Sequence, residues 1–216
     1  MKQFAIIGLG NFGAKVAREL TAMDCRVTAI DNDKAKVQAI QEDVYQAIIA
    51  EATDRNFLEN LEPKQFDHFI ISTGEDAHAA ILITLYLNEL EAKHIIVKAA
   101  SSDHAKVLKK VGAAEAIIPE EQMAIKLAHS LARPNIIDFL PLSSEYCVVE
   151  MKPPEKFIGK KLKQLDLRNK YNIQVVSIKH SERGEYLHVP GGDYTIRSSD
   201  ILMVLGKEED VNRIKG

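Results

Sequence analysis

The chain has 216 residues, 46% of them hydrophobic and 27% charged, with a formal net charge of −3. That length holds one large domain, or one large and one small, with enough apolar material for a real core. The mild negative charge argues against a nucleic-acid binder, which usually shows a basic patch or stripe that meets phosphates.

The elements follow in chain order. Strand-like runs fall at residues 4–7, 26–30, 45–49, 68–72, 94–97 and 115–118. Between them lie stretches of helical spacing, such as Phe12, Val16, Leu20 and Met23. Alternation of this kind builds right-handed βαβ units and a parallel sheet with helices on both faces. Six strands in two halves form the Rossmann-like, doubly wound α/β arrangement. The segment 79–87 has almost no polar face, so its helix reads as buried all round, by a subunit contact or by the second domain.

Pro119 suits the first position of a further helix, with Glu120 and Glu121 near its positive end and Met123, Leu127 and Leu131 along one face. That helix should stop near Arg133, because a residue before proline resists the α conformation. The first domain is therefore read as 1–134, a connector bounded by Pro134 and Pro141 as 135–143, and a second domain as 144–216. The last part reads as a strand over 146–151, a helix over 162–171, a strand over 173–179, a hairpin-like segment, a strand over 201–205 and a short C-terminal helix. It is a small α+β module. Lys152, Lys156, Lys160, Lys161 and Lys163 near its start read as a solvated loop.

Cys25 and Cys147 fit no zinc or CxxC spacing and read as small apolar residues in a reduced compartment. Nothing near Met1 has the pattern of a signal peptide, and the apolar stretch 79–87 is too short to span a bilayer. The expectation is a cytoplasmic protein, attached to a membrane only through a partner.

Gly8-Leu9-Gly10-Asn11-Phe12-Gly13 follows the first strand directly and opens the first helix. In that context Gly8 permits the tight turn, Gly10 lets a phosphate reach the backbone, and Gly13 lets helix and strand pack closely. The helix start offers unpaired N–H groups to an anion. Asp31 ends the second strand, where an acid accepts hydrogen bonds from ribose hydroxyls and repels a 2′-phosphate. The histidines at 68, 78, 94, 104, 129, 180 and 188 show no metal-binding spacing, and no serine elbow or Walker lysine is present. A nucleotide site without acid–base machinery points to a sensor and not an enzyme. A small NAD(H)-dependent oxidoreductase or redox sensor is the alternative reading.

With these residues in hand, the sequence resembles the RCK-domain family, specifically the KtrA/TrkA-type regulatory subunits of bacterial K+ uptake systems. The resemblance runs nearly end to end. It rests on the glycine motif with its strand, Ala29-Ile30-Asp31, Ala52-Thr53-Asp54, Val97-Lys98-Ala99, Lys109-Lys110-Val111-Gly112-Ala113, Ile118-Pro119-Glu120, Tyr146-Cys147-Val148-Val149-Glu150 and Leu167-Arg168-Asn169-Lys170-Tyr171. It implies an RCK-N (TrkA-N) domain followed by an RCK-C (TrkA-C) domain. It also implies ATP or ADP in the first lobe, with NAD or NADH in some relatives. The nucleotide site it implies comprises Gly8, Gly10, Asn11, Phe12, Gly13, Asp31, Asn32, Thr53, Asp54, Thr73, Gly74 and Lys98. Glu120 matches a position close to a divalent cation (Mg or Ca) near the phosphates. Homodimers of such subunits assemble into an octameric ring that docks on a membrane K+-translocating subunit of the KtrB/TrkH type. Some members bind cyclic di-AMP in the C-terminal lobe. On that pattern Leu167, Arg168, Val175 and Pro190 would form the site, with Arg168 meeting phosphate and Pro190 lining the adenine pocket. Many KtrA-type members carry arginine where this chain has Asn11, and that arginine reaches the terminal phosphate from the neighbouring subunit. Asparagine is uncharged, so the resemblance does not extend to discrimination of ATP from ADP or NAD.

Overall fold

Phe4, Ala5, Ile6 and Ile7 form a continuous apolar run, the pattern of a strand covered on both faces. The computed structural model, which describes residues 1–132, 135–143, 145–180 and 184–214, places them in β1 (Gln3–Ile7) at the centre of a sheet. Chain order continues through α1 (Asn11–Ala22), β2 (Arg26–Asp31), α2 (Lys34–Gln38), β3 (Gln46–Ile49), α3 (Arg55–Asn60), β4 (His68–Ile71), α4 (Ala77–Glu89), β5 (Ile95–Lys98), α5 (Ser102–Lys110) and β6 (Glu115–Ile117). The strands lie in the order β3-β2-β1-β4-β5-β6, and every pairing is parallel. The order reverses between β1 and β4, the crevice where doubly wound sheets hold ligands.

Each face of this sheet has its own core. Ile6, Val27, Ala29 and Ile70 pack with Ala17 of α1 and Val37 of α2 on one side. Ala5, Ile7, Phe69, Ile71 and Val97 pack with Leu58 of α3, Ile83 of α4 and Leu108 of α5 on the other. The apolar helix is α4, and it is less enclosed within the single chain than its sequence implies. Ala80, Ile83, Thr84 and Leu87 are buried, while Ile81, Leu82 and Leu85 are only partly so. The Thr84 hydroxyl donates to the Ala80 carbonyl at 2.6 Å, which satisfies the polar atom within the buried side.

The chain divides into two compact units, Met1–Pro119 and Glu120–Gly216. That division lies earlier than the expected boundary at 134. The long helix α6 (Pro119–Ala132) accordingly groups with the second unit. Its face of Met123, Leu127 and Leu131 is exposed. The expected stop at Arg133-Pro134 lies outside the described residues. The connector expected over 135–143 is instead largely a strand, β7 (Ile136–Pro141), paired antiparallel with β8 (Tyr146–Met151). Ile136 and Phe139 are buried there. Pro141 is compatible with this because it ends an edge strand, where a missing N–H leaves no ladder bond broken.

The remaining elements are α7 (Leu162–Leu165), α8 (Leu167–Tyr171), β9 (Gln174–His180), β10 (Tyr186–His188), β11 (Asp200–Lys207) and α9 (Glu208–Asn212). The single helix expected over 162–171 is broken at Asp166. That residue takes a left-handed conformation (φ 48°, ψ 46°) and accepts a hydrogen bond from Asn169 at 2.7 Å. The second sheet runs β10-β9-β11-β8-β7 and is antiparallel throughout. Asp200, which opens β11, is buried and accepts from Tyr194 Oη (2.9 Å) and the Arg197 backbone N–H (2.8 Å), with His180 Nδ1 at 3.1 Å. This carboxylate ties the loop before β11 to β9.

One histidine in the first unit has its pKa lowered by its surroundings. His68 stacks on Phe4 (centroids 5.1 Å) and meets His94 edge-on (4.9 Å). Its Nδ1 is buried without a partner among the described residues. Burial lowers its pKa first, and His94 and Lys2 lower it further, against the opposing pull of Asp67 and Glu115. A histidine whose folded pKa lies below its unfolded value contributes stability that is complete above the unfolded value, about 6.5, and is lost as pH falls below it. Urea unfolding followed from pH 7.5 to pH 5.5 should show a steeper loss of stability for the parent than for His68→Phe, which keeps the stack on Phe4. Equal slopes would show that His68 does not contribute.

Candidate functional site

The glycine loop after β1 is shaped by contacts that exclude side chains. Gly8 has φ +93°, and a Cβ there would sit 2.1 Å from the Ser72 carbonyl oxygen. A Cβ on Gly13 would lie 1.9 Å from the Gly8 carbonyl oxygen, so α1 approaches the end of β1 this closely only because residue 13 is glycine. Gly10 differs, with nothing within 4 Å of its ideal Cβ. It caps α1 without a side-chain hydrogen bond and faces open space. The three glycines thus sit in distinct steric surroundings.

Asp31 closes the loop from β2. Its residue is 8% exposed, and its Oδ2 accepts from the Leu9 backbone N–H at 2.6 Å while its Oδ1 accepts from that of Asp33 at 2.8 Å. Lys36 Nζ stands 3.5 Å from Oδ2. The carboxylate therefore anchors the glycine loop as well as facing the cavity, and its remaining lone pairs can still accept from a ligand.

A cavity of about 390 Å³ opens over these residues at the C-terminal ends of the strands. Of the residues that the resemblance names for the nucleotide site, Gly8, Gly10, Asp31, Asn32, Thr53, Thr73 and Gly74 line it. Asn11, Phe12, Gly13, Asp54 and Lys98 do not. Asn11 and Phe12 begin α1, with Asn11 exposed and Phe12 packed against the core. Asp54 turns to cap α3, accepting from the Asn56 N–H at 2.9 Å. Lys98 ends β5.

The cavity also includes residues that the sequence reading passed over, among them Lys36, Glu51, Ser72, Asp76 and His78. Glu51 is the most connected of these. Its Oε2 accepts from Asn32 Nδ2 (2.9 Å), and its Oε1 accepts from the Thr53 N–H (3.1 Å) and the Thr53 hydroxyl (2.8 Å). The Thr53 backbone bond, then the Thr53 hydroxyl and Asn32, hold its pKa below the usual carboxylate range. The one sequence signal for it was its place immediately before Ala52-Thr53-Asp54.

In the second unit, Glu120 lies in the first turn of α6. Among the described residues, no group of three or more His, Cys, Asp or Glu side chains could hold a metal ion. Leu167 and Val175 are buried in the core of this unit. Arg168 lines a separate cavity of about 670 Å³ with Tyr146, Asn172, Gln174, Lys207 and Arg213, whereas Pro190 does not. Of the four residues implied for cyclic di-AMP, Arg168 lines this cavity and Leu167, Val175 and Pro190 do not. No helix among the described residues is long and apolar enough to cross a membrane.

Residues 4–119 match the TrkA-N domain and residues 148–215 the TrkA-C domain. The chain belongs to the KtrA/TrkA-type family. The chain is 39% identical over 214 residues to the Ktr system potassium uptake protein C of Bacillus subtilis (strain 168), covering 99% of this chain and 96% of that protein. Among solved structures, the GsuK RCK domain superposes with a TM-score of 0.63 at 15% identity, over 98% of this chain and 46% of that one. The GsuK channel bound to NAD superposes with a TM-score of 0.57 at 20% identity, over 99% of this chain and 38% of that one. This chain thus spans less than half of either solved chain, and at such identities the likeness establishes an RCK-type fold.

The double role of Asp31 changes what its removal should do. The sequence alone suggests that Asp31→Ala would disturb ligand binding and spare the fold. Truncation leaves the buried Leu9 N–H without its partner, at about 1–3 kcal/mol, while the N–H of the exposed Asp33 can turn to water. Denaturant unfolding of Asp31→Ala should show a loss of that order without any ligand present. An unchanged midpoint would show that the two hydrogen bonds do not hold the loop.

Proposed function

We propose that the chain is the nucleotide-sensing regulatory subunit of a K+ uptake system, a ligand-responsive switch and not an enzyme. The observation that carries this reading is the cavity at the switch point of the sheet, where the open helix start at Gly10 and the carboxylate of Asp31 line one space. A phosphate fits the first and a ribose diol the second. The near full-length likeness to a Ktr potassium uptake protein supports the K+ transport role. The solved GsuK channel with NAD supports a dinucleotide as well as ADP or ATP among the ligands to test.

The switch works by linkage. A ligand moves an assembly between two shapes only through a difference in its affinity for them, typically about 1–3 kcal/mol per site. Ring assembly, octameric in the family pattern, would multiply that difference and pass it to a membrane K+-translocating subunit of the KtrB/TrkH type. Asn11 lies at the start of α1 and adds no positive charge for a terminal phosphate. Glu120, in the first turn of α6, is the residue that the family pattern gives for a divalent cation. Cyclic di-AMP in the second unit rests on Arg168 and its cavity.

Gly10→Ala separates binding from folding. The added methyl meets nothing in the unliganded protein, so stability should stay within about 0.5 kcal/mol of the parent. The same methyl stands where a phosphate would approach the backbone. Titration calorimetry with ATP, ADP, NAD and NADH should show binding to the parent and at least about a tenfold loss in this variant. Unaltered affinity would place the phosphates elsewhere, and no binding to the parent would overturn the nucleotide reading.

A further inference from the structure

A second cavity, of about 410 Å³, opens toward the N-terminal ends of β1, β2 and β3 and shares no lining residue with the first. Strand alternation builds its floor. Arg26 and Thr28 of β2 share one face, with Gln3 of β1 in register beside Arg26 and Gln46 of β3 beside Thr28. Ile48, Phe57, Leu61 and Phe66 give it apolar sides continuous with the core. Thr28 is only 4% exposed, and its hydroxyl makes no side-chain hydrogen bond among the described residues. A buried hydroxyl is normally paired, so this one offers a place to a ligand. Arg26 is the one charged side chain among the described residues of the lining, and its guanidinium lies 4.1 Å from the Tyr45 ring centroid. Glu62 and Asp67, next in sequence to lining residues, are outside the cavity and engaged. Glu62 accepts from Gln65 Nε2, and Asp67 accepts from the Gln3 backbone N–H at 2.8 Å and from Lys93 at 3.4 Å.

We propose that this cavity binds a small monocarboxylate with a planar apolar body, an aromatic acid by class. The guanidinium of Arg26 presents a planar fork of N–H donors that matches a carboxylate. Its contact with the face of Tyr45 steadies that fork without consuming a donor. One guanidinium balances one negative charge, whereas a phosphate dianion would keep an uncompensated charge beside neutral amides. The flat body of the acid lies against Phe57, Leu61 and Phe66, in a volume within the usual range for small-molecule sites. The Thr28 hydroxyl and the amides of Gln3 and Gln46 can each donate or accept, so they serve the second carboxylate oxygen or a polar ring substituent. The site is independent of the nucleotide cavity, which lies at the opposite ends of the same strands.

The test is saturation-transfer NMR on the full chain with two probes, phenylacetate and its neutral amide, phenylacetamide. The parent should bind phenylacetate saturably and phenylacetamide about tenfold more weakly or worse, the scale of one hydrogen bond to a charged group. Arg26→Gln changes an exposed residue and removes the charge, so the preference for the acid should fall toward one. Thr28→Val keeps the shape of the buried residue and serves as a second variant if the first does not fold. It should weaken phenylacetate severalfold. Saturating ADP should leave the phenylacetate signal in place, because the two cavities share no residue. No saturable binding to the parent, equal binding of acid and amide, or a preference unchanged in folded Arg26→Gln would overturn the proposal. Competitive displacement by ADP would place the acid in the nucleotide cavity and overturn it too. Phenylacetate binding in a chain that binds no ADP would support this site and count only against the nucleotide reading.

Discussion

The site depends on how closely β1, α1 and β2 meet. Gly8 and Gly13 touch with no room for a Cβ, and the Asp31 carboxylate reaches across from β2 to the Leu9 N–H. Each contact requires the others. The turn at Gly8 brings Leu9 within reach of Asp31, and Asp31 in turn pays the polar cost of a backbone that would otherwise leave a buried donor unpaired. The result is a loop whose shape is set before any ligand arrives, which limits the ordering cost of binding.

Around that point the first unit is arranged as a doubly wound sheet requires. Its strands are apolar on both faces because helices cover both, and its polar residues collect where the strands end. Asn32, Glu51 and Thr53 form one such collection, locked to each other by hydrogen bonds. The second unit follows a different plan, an antiparallel sheet whose loop before β11 is tied down by the buried carboxylate of Asp200. The two units use the same device, a carboxylate satisfied by several donors, to hold irregular backbone in place.

Much of this was legible in the sequence, for physical reasons. The parallel strands show as unbroken apolar runs, and the glycines and Asp31 occur at the spacing of a strand–turn–helix loop. β7 was less legible because Pro134 and Pro141 resemble the limits of a linker, while the burial of Ile136 and Phe139 depends on a partner strand distant from neither but invisible to local pattern. The break at Asp166 was hidden because the apolar spacing continues across it; the left-handed residue is stabilised by a side-chain hydrogen bond that spacing cannot reveal. Glu51 was missed because one acid after a strand is ordinary. Its importance comes from three donors that converge only in the folded chain. Leu167 and Val175 show the reverse case, where apolar residues implied in a ligand site are used by the core.

The central claim is that this cavity holds a nucleotide with phosphates at the glycine loop and ribose at Asp31. The most direct measurement is a crystal structure of the full chain grown with ADP. The account predicts the diphosphate against the backbone at Gly10 and the ribose hydroxyls within hydrogen-bond distance of the Asp31 carboxylate. ADP bound at another place, or an unoccupied cavity at saturating ADP, would contradict it.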